Sequence, residues 1–587
     1  MDKKKKDFYF DFKFFKALYK LIPYFFLKGN WYAECMFLSA LVLSVLNEWV
    51  GYKIGMIPGQ MYTTLIDSDS NSFWDIMLKG SLMYIGKCVL IALVGLSTWF
   101  LYLAFRKNIT HAMHNTYFKE MTAYKLIFMS YNNIDNPDQR ITQDVDKMCK
   151  SLAQTILPPA LICPFVVGYY TYKTYTTAGI YGCGMVYAYF VIGTIVNRLL
   201  ISPLAKWSNR VEKSEGDFRY KEVSVRDNCE QVALYRGQTF EKNETNKLLD
   251  ILLKNQFLLC IWRFPNSFWQ NFFDYYGGLL SYAIQYIPIF MLHTYKDVDP
   301  TKLPEIISNN AFVYIYLINS FTRLTDVALS SGEMAGVLQR VYEMMKECND
   351  MDKTRYNNID GLGKNDDASY KFNNVSINTP QGGVIIKNLS LSISDKSNLL
   401  IQGSSGTGKT SLVRILSGLW KHSSGKILAK YTINDMAVLP QKSYLPCGTL
   451  SLYQQIMFPS TNIEDDGFEV DKRSEDIFIL LEKLNLSHIV KKVGNIFDEP
   501  TFEFINTLTP GEVQRLVFIR AIIKNPKLII LDEATNSVDN ETEYTMYNIM
   551  REKNIQYISI GHRTSLREYH DQCLTLTGDG GYIVDKI

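Results

Sequence analysis

The stretch Gly403–Thr410 constrains the fold of this chain more than any other, because it matches the pattern G-x-x-x-x-G-K-[ST]. The apolar run at 399–401 before it predicts a strand, and residues 411–416 after it predict a helix. Glycines allow backbone N–H groups to surround a phosphate at a helix N-terminus, where the helix dipole also favours negative charge. The stretch therefore predicts a nucleotide-binding loop. Its candidate contacts are Gly403, Ser404, Ser405, Gly406, Thr407, Gly408, Lys409, Thr410 and Ser411.

Two pairs of side chains supply the chemistry expected around such a loop. Lys409 is expected to reach the β- and γ-phosphates, and the Thr410 hydroxyl is expected to bind Mg²⁺. The apolar run at 527–531 predicts a buried strand that ends in Asp532 and Glu533. We expect Asp532 to hold Mg²⁺ through water and Glu533 to polarise the attacking water. An apolar strand that ends in two carboxylates is common by itself. Its position downstream of a phosphate loop makes it a much more specific sign of a nucleotide site.

Composition narrows the class of protein. A chain of 587 residues is expected to form two or more domains, and a net charge of +3 argues against nucleic acid as the main partner. The ten cysteines include no C-x-x-C pair, and there are only seven histidines. The sequence therefore predicts neither a zinc site nor a disulfide framework.

The first half of the chain has the character of a membrane domain. Residues 1–345 contain six apolar stretches of about 20 residues, the length that crosses a bilayer, and a soluble helical core is the less favoured alternative. The expected spans lie near 35–57, 81–105, 157–177, 179–203, 265–293 and 309–331. The third and fourth could also be one interrupted pair. A polar linker is expected at 346–366, followed by a soluble α/β domain at 367–587.

Lysine and arginine concentrate in the segments 106–156 and 204–262, whereas the loops on the opposite side carry mainly aspartates. This asymmetry predicts that both basic segments, the N-terminus and the C-terminal domain face the cytosol.

Ionisable residues within the expected spans have two interpretations. They either line a cavity for cargo or pair with one another inside the helical bundle. Arg323 and Asp326, three residues apart on one helix, could pair with each other. The residues concerned are Lys87, Arg198, Asp274, Arg323 and Asp326.

The segment Leu508–Glu512 resembles the signature motif, usually written LSGGQ, of ATP-binding-cassette proteins. Gln441, the segment Ser537–Asp539 and His562 follow the order of that family's Q-loop, D-loop and switch histidine. The resemblance implies that the nucleotide is ATP. It also implies that Gln441 senses Mg²⁺ and the membrane domain, and that His562 contacts the γ-phosphate.

The same resemblance implies a site shared between two subunits. The signature would bind the γ-phosphate of ATP held by the opposite subunit, through Thr509, Gly511 and Glu512, and Asp539 would belong to the same nucleotide site. The implied catalytic residues are Glu533, His562 and Lys409, and the implied Mg²⁺ ligands are Thr410, Gln441 and Asp532.

The sequence departs from the family pattern at two points. Thr509 and Pro510 replace Ser-Gly in the signature, and proline removes one N–H donor. In addition, no aromatic residue stands at the family's usual adenine-stacking distance upstream of the phosphate loop. Tyr370, Phe372 and Tyr444 are possible substitutes.

The membrane half is similar to subfamily D of this family, the peroxisomal and lysosomal half-transporters, in Asn136–Val145 and Glu215–Tyr220. Within subfamily D, Gly406–Leu412 and Asn310–Ile318 resemble the lysosomal branch implicated in cobalamin export. The implied fold is an α-helical transmembrane domain of six spans, of the exporter type (type IV), followed by an α/β P-loop ATP-binding-cassette domain.

The resemblance implies an ATP-hydrolysing half-transporter of an organelle membrane that dimerises to move a cobalamin-like cargo. One alternative is transport of fatty acids or fatty acyl-CoA, as in peroxisomal members, and another is a non-transporting ATP-binding scaffold. The expected partners are a second half-transporter (a homodimer is favoured), the lipid membrane, a small-molecule or lipid cargo, and a membrane escort protein. A lysosomal or other endomembrane location is favoured, with the peroxisome as the alternative.

Overall fold

The computed structural model describes residues 12–26, 31–129, 134, 136–295, 298–352, 359–361, 367–379, 382–460 and 467–587. The chain divides into two compact units, residues 1–353 and 354–587. Residues 353–358 and 362–366 of the expected linker lie outside the described residues.

The regular secondary structure in the described part of the N-terminal unit is helical. Three π-helical turns, Arg140–Asp144, Ser151–Ile156 and Ile287–Met291, interrupt it. The helices are α1 (Phe12–Phe25), α2 (Trp31–Gly55), α3 (Ile57–Ile66), α4 (Ser70–Tyr117), α5 (Thr122–Phe128), α6 (Pro137–Gln139), α7 (Val145–Lys150), α8 (Leu157–Asp227), α9 (Cys229–Leu234), α10 (Gln238–Ile284) and α11 (Leu303–Asp352).

The long helix α8 reverses direction at Gly179, whose φ of 67° and ψ of −162° are not helical. The Thr171 Oγ1 and Tyr187 Oη atoms lie 3.0 Å apart across this point. In a continuous helix residues separated by this much sequence would lie about 24 Å apart. The two arms of α8 are therefore antiparallel, and they meet at the border between the third and fourth expected spans.

Three helical stretches of the described chain, Trp31–Ile66, Ser70–Tyr117 and Pro137–Leu200, are long and apolar enough to cross a membrane. They include the first three expected spans and the fourth as far as Leu200. Helix α10 covers the fifth expected span up to Ile284, and the π-helical turn Ile287–Met291 covers most of the rest. Helix α11 contains the sixth, and the 47 and 50 residues of α10 and α11 exceed the length needed for a bilayer core.

Arg323 on α11 pairs with Glu48 on α2. Its Nη1 lies 2.7 Å from the Glu48 Oε1, and the Tyr316 hydroxyl donates to the Glu48 Oε2 at 2.5 Å. Arg323 therefore pairs inside the helical bundle, as one of the two interpretations has it, but its partner is Glu48 and not Asp326. Glu48 is the more deeply buried end of the pair, at 16% side-chain exposure against 39% for Arg323, so its charge needs a partner.

The C-terminal unit combines two sheets with helices. One sheet has the order β1-β5-β2-β3 and the other β10-β9-β4-β8-β7-β6. The strands are β1 (Ile359–Gly361), β2 (Ala368–Asn378), β3 (Val384–Ser394), β4 (Leu399–Gly403), β5 (Ser424–Ala429), β6 (Met436–Leu439), β7 (Leu528–Asp532), β8 (Gln556–Ile560), β9 (Gln572–Leu576) and β10 (Tyr582–Lys586). The helices are α12 (Lys409–Leu416), α13 (Leu452–Met457), α14 (Gly467–Lys483), α15 (Ser487–Val493), α16 (Phe504–Thr507), α17 (Pro510–Ile522) and α18 (Asn540–Glu552), with 3₁₀ turns at Ile433–Asp435 and Thr564–Tyr569.

Strands β4, β8, β7 and β6 are neighbours and run parallel. The apolar side chains of β4, β7 and β8 are buried, as expected for strands covered on both faces of a sheet. Parallel strands end at the same edge of a sheet, where open α/β folds bind ligands. The loops that follow β4, β6, β7 and β8 therefore come together, and these loops carry the phosphate loop, Gln441, Glu533 and His562.

Candidate functional site

The phosphate loop connects the end of β4 at Gly403 to the start of α12 at Lys409. Gly408 has a φ of 102°, and a Cβ atom there would lie 2.0 Å from the Ile385 Cγ2. A Cβ atom at Gly403 would lie 2.7 Å from the backbone oxygen of Leu576. The loop conformation thus requires glycine at both positions.

Lys409 is buried and lies inside this loop. Its Nζ donates to the backbone oxygens of Gly403 and Ser404, each at 2.9 Å. The Thr407 hydroxyl donates to the same Ser404 oxygen at 3.0 Å. Because an ammonium group has three donors, Lys409 retains one for a phosphate oxygen.

Thr410 and Asp532 bring two oxygen donors together from α12 and β7. The Thr410 Oγ1 lies 3.5 Å from the Asp532 Oδ1. Burial raises the pKa of Asp532, and the Thr410 hydroxyl opposes that rise. No cluster of three His, Cys, Asp or Glu side chains suited to a metal occurs in the described parts of the chain. These two oxygens fit a small hard cation that takes its other ligands from phosphate and water.

The Glu533 carboxylate lies beside the side chains of Gln441, Asn536 and His562. Its Oε2 accepts from the Gln441 Nε2 at 2.9 Å and from the Asn536 Nδ2 at 3.1 Å. The His562 Nε2 lies 3.7 Å from the Glu533 Oε1. Glu533 has a φ of 51°, a left-handed conformation that is uncommon for a side chain of this kind. Sequence reasoning missed Asn536, although it stands one residue before the D-loop segment.

The signature segment forms the N-terminus of α17. Thr509 is the N-cap, and a capping box joins it to Glu512: the Thr509 N–H donates to the Glu512 Oε2 at 2.8 Å. Burial acts to raise the pKa of Glu512, but the bonds from Thr509 and the nearby His488 hold it below its usual value. Pro510 is the first residue of the helix, where an N–H has no partner within the helix. Proline at this point therefore leaves the helix intact.

Two predicted nucleotide contacts, Glu512 and Asp539, have structural partners within their own chain. Asp539 caps α18, accepting from the Thr542 N–H at 3.1 Å and from its hydroxyl at 2.6 Å. Gly511 lies against the turn after β7, since a Cβ there would be 2.7 Å from the Ser537 oxygen. Within the described residues, no hydrogen bond joins the signature segment to the phosphate loop.

The structure also narrows the candidates for adenine stacking. Tyr370 and Phe372 lie on β2 and are buried, at 0% and 2% exposure, so neither can offer a ring face to a base. Tyr444 is 54% exposed and follows the Q-loop glutamine. Of the three substitutes, only Tyr444 has an accessible ring.

Comparison with known proteins agrees with this organisation. Residues 21–290 match the family model "ABC transporter transmembrane region 2", and residues 386–536 match the model "ABC transporter". The lysosomal cobalamin transporter ABCD4 of Mus musculus is 35% identical over 94% of this chain and 93% of its own length. ABC transporter D family member 3 of Dictyostelium discoideum is 27% identical over 100% of this chain and 90% of its own.

A solved bacterial Atm1-family ABC exporter with ATP bound has a TM-score of 0.71 at 17% identity, covering 94% of this chain and 95% of its own. At that identity the likeness concerns the fold alone, and it confirms the predicted fold class of a helical transmembrane domain followed by an α/β nucleotide-binding domain. The relatives confirm the predicted family. The chain therefore belongs to subfamily D of the ATP-binding-cassette transporters, as a half-transporter that couples ATP hydrolysis to movement across a membrane.

Proposed function

We propose that this half-transporter works as a homodimer that uses ATP and Mg²⁺ to move a cobalamin-like cargo across a lysosomal or other endomembrane. The proposed cargo rests on one observation, the 35% identity over 94% of the chain to a transporter named for cobalamin and the lysosome. The basic segments 106–156 and 204–262 support a cytosolic position for the nucleotide-binding unit.

The grouping of the site residues supports a dimer. One group contains the phosphate loop, Asp532, Glu533, Gln441 and His562, and the other is the signature at the start of α17. Within the described chain, these hydrogen bonds join residues of the same group: Thr410 to Asp532 and Gln441 to Glu533 in the first, and Thr509 to Glu512 in the second. With a single copy of each group per chain, two chains placed head to tail form two complete sites.

In each site the residues divide the work of hydrolysis. Lys409 and the loop N–H groups hold the phosphates, and the signature of the partner chain closes over the γ-phosphate through the Thr509 hydroxyl and the N-terminus of α17. Mg²⁺ held by Thr410 and Asp532, with Gln441 as a further ligand, would neutralise charge on the phosphates. Glu533 accepts a proton from the attacking water, while Gln441 and Asn536 hold its carboxylate in place. His562 lies beside Glu533 and donates to the γ-phosphate.

The first prediction concerns Glu533. We expect Glu533→Gln to retain ATP binding and to lower the ATPase rate at least about 100-fold, because an amide cannot act as a general base. The measurement compares ATP binding and phosphate release by the purified full-length protein. Wild-type turnover no faster than that of the variant would instead indicate an ATP-binding scaffold without transport.

The cargo is tested with the same protein reconstituted in liposomes. We expect cobalamin to stimulate ATP hydrolysis and to cross the bilayer in an ATP-dependent manner, and Glu533→Gln serves as the inactive control. Stimulation by oleoyl-CoA and not by cobalamin would replace the proposed cargo with the fatty acyl-CoA alternative.

A further inference from the structure

Arg563 follows His562 directly, and its guanidinium reaches the turn after β7. We call residues Glu533–Asp539 the β7 turn. Arg563 Nη2 donates to the backbone oxygens of Val538, at 2.9 Å, and Asn536, at 3.3 Å. The loop after β8 therefore contacts the β7 turn at both ends, through His562 near Glu533 and through Arg563 near Val538.

The other side of the guanidinium is anchored to a buried carboxylate. Arg563 Nη1 lies 3.1 Å from the Glu543 Oε2, and the Glu543 side chain is 1% exposed. The Ser565 hydroxyl donates to the other oxygen of Glu543 at 2.8 Å. A buried carboxylate with two partners is a rigid anchor, so the position of Arg563 is set by α18 and not by solvent.

The β7 turn depends on such support. Glu533 has a φ of 51°, a conformation that persists only where the surroundings hold it. Asn536 connects Arg563 to Glu533, because its backbone oxygen accepts from Arg563 and its side-chain amide donates to the Glu533 Oε2 at 3.1 Å. A displacement of the turn at Asn536 would move the carboxylate of Glu533.

We propose that Arg563 is a positioning residue for ATP hydrolysis, which acts through Asn536 to hold the Glu533 carboxylate in place. This inference rests on the proposed role of Glu533 as general base. Arg563 itself contacts neither the phosphate loop nor Glu533 in the described structure. Its effect therefore falls on the chemical step and leaves the capture of ATP unchanged.

The test is steady-state ATP hydrolysis by the full-length protein in lipid nanodiscs. Arg563→Gln is expected to lower kcat about tenfold or more and to leave the KM for ATP within about twofold, because small misplacements of a catalytic group reduce the rate steeply. The matched control is Arg567→Gln, four residues further along the same loop. Arg567 is exposed and donates to the Gln402 Oε1 at 3.4 Å, so its kcat and KM should stay at wild-type values.

A second variant, Asn536→Ala, removes the amide that contacts Glu533 and leaves the main-chain acceptor of Arg563 in place. It is expected to lower kcat without affecting folding, and Arg563→Gln should have less than about a threefold further effect in that background. Unchanged kcat in Arg563→Gln, or losses that multiply independently in the double variant, would overturn the inference. An active Glu533→Gln would refute the role of Glu533 itself, whereas an inactive Glu533→Gln beside a fully active Arg563→Gln would refute only the inference.

Discussion

At the scale of single residues, burial separates two histidines that follow β8. His562 is half exposed beside Glu533, where an imidazole can reach a ligand. His570 is 5% exposed, with its Nδ1 2.6 Å from the Leu566 oxygen and its Nε2 2.8 Å from the Ser559 Oγ. Burial lowers the pKa of His570 to about 4. His570 therefore contributes to the core and not to the nucleotide site.

The lowered pKa of His570 should make the stability of the nucleotide-binding unit depend on pH. Its folded-state pKa of about 4 lies below the ordinary value of 6.5, so between these limits the unfolded chain binds a proton that the native chain does not. The stabilising effect of neutral His570 is therefore complete above pH 6.5 and is lost as the pH falls towards 4. The loss is about 1.4 kcal/mol per pH unit, or about 3 kcal/mol in all.

The measurement is the thermal unfolding midpoint of the full-length protein between pH 4.5 and 7.5, compared with that of His570→Gln. Glutamine does not titrate, so the difference between the two proteins should shrink as the pH falls. A difference that stays constant across this range would contradict the assignment.

Residue type alone does not distinguish a ligand contact from a helix cap. Thr509 and Glu512 match the capping-box pattern, Thr-x-x-Glu, so the bond between them can be read from sequence. The bond from Asn536 to Glu533 cannot, because it depends on the left-handed φ of Glu533. The sequence therefore points to Glu533, whereas the backbone conformation of the turn brings Asn536 to its carboxylate.

At the scale of elements, the strands and loops of the C-terminal unit are easier to predict from sequence than the contacts between the long helices. A strand, a glycine loop and a helix in succession specify local geometry, and both β4 and α12 lie where the pattern predicts them. The partner of Arg323 depends instead on how α2 and α11 are rotated against each other. Sequence neighbours such as Asp326 are then a poor guide.

The pair between Glu48 and Arg323 should hold α2 against α11. Arg323→Gln removes the cation that is paired directly with Glu48 and should lower the free energy of unfolding by about 1–3 kcal/mol, a range that allows for solvent screening. The double variant Glu48→Gln/Arg323→Gln removes both charges and should recover part of that loss. The measurement is the unfolding midpoint of each protein in the same detergent.

The pair Asp75–Lys79 is a matched control, because its side chains are 57% and 70% exposed. Lys79→Gln should change stability by less than about 0.5 kcal/mol. Equal effects of Lys79→Gln and Arg323→Gln, or a double variant no more stable than Arg323→Gln, would show that the pair does not join the two helices.

At the scale of the whole molecule, the sequence predicts the family and the fold class, and both are confirmed. It also predicts that hydrolysis needs two chains, since the chain has one phosphate loop and one signature. A sequence cannot show how the cargo cavity is lined, because that depends on how the helices of two chains face each other. Arg323 shows the same dependence within one chain, because its partner, Glu48, lies on a helix distant in sequence.

The proposal that each site is formed by two chains is tested most directly with two variants distributed differently between the chains of a dimer. Lys409→Ala disables the phosphate loop, and Thr509→Asp keeps an N-cap residue on α17 while placing a negative charge against the phosphate. In one dimer each chain carries one substitution. In the other, one chain carries both and its partner is wild type.

Differently tagged chains are co-expressed, purified through both tags and assayed for ATP hydrolysis. If the sites are shared, the dimer with one substitution on each chain retains one intact site and hydrolyses ATP, whereas the dimer with both on one chain has none and is inactive. The reverse result, with activity only where one chain is fully wild type, would contradict the account, because each chain would then hold a complete site.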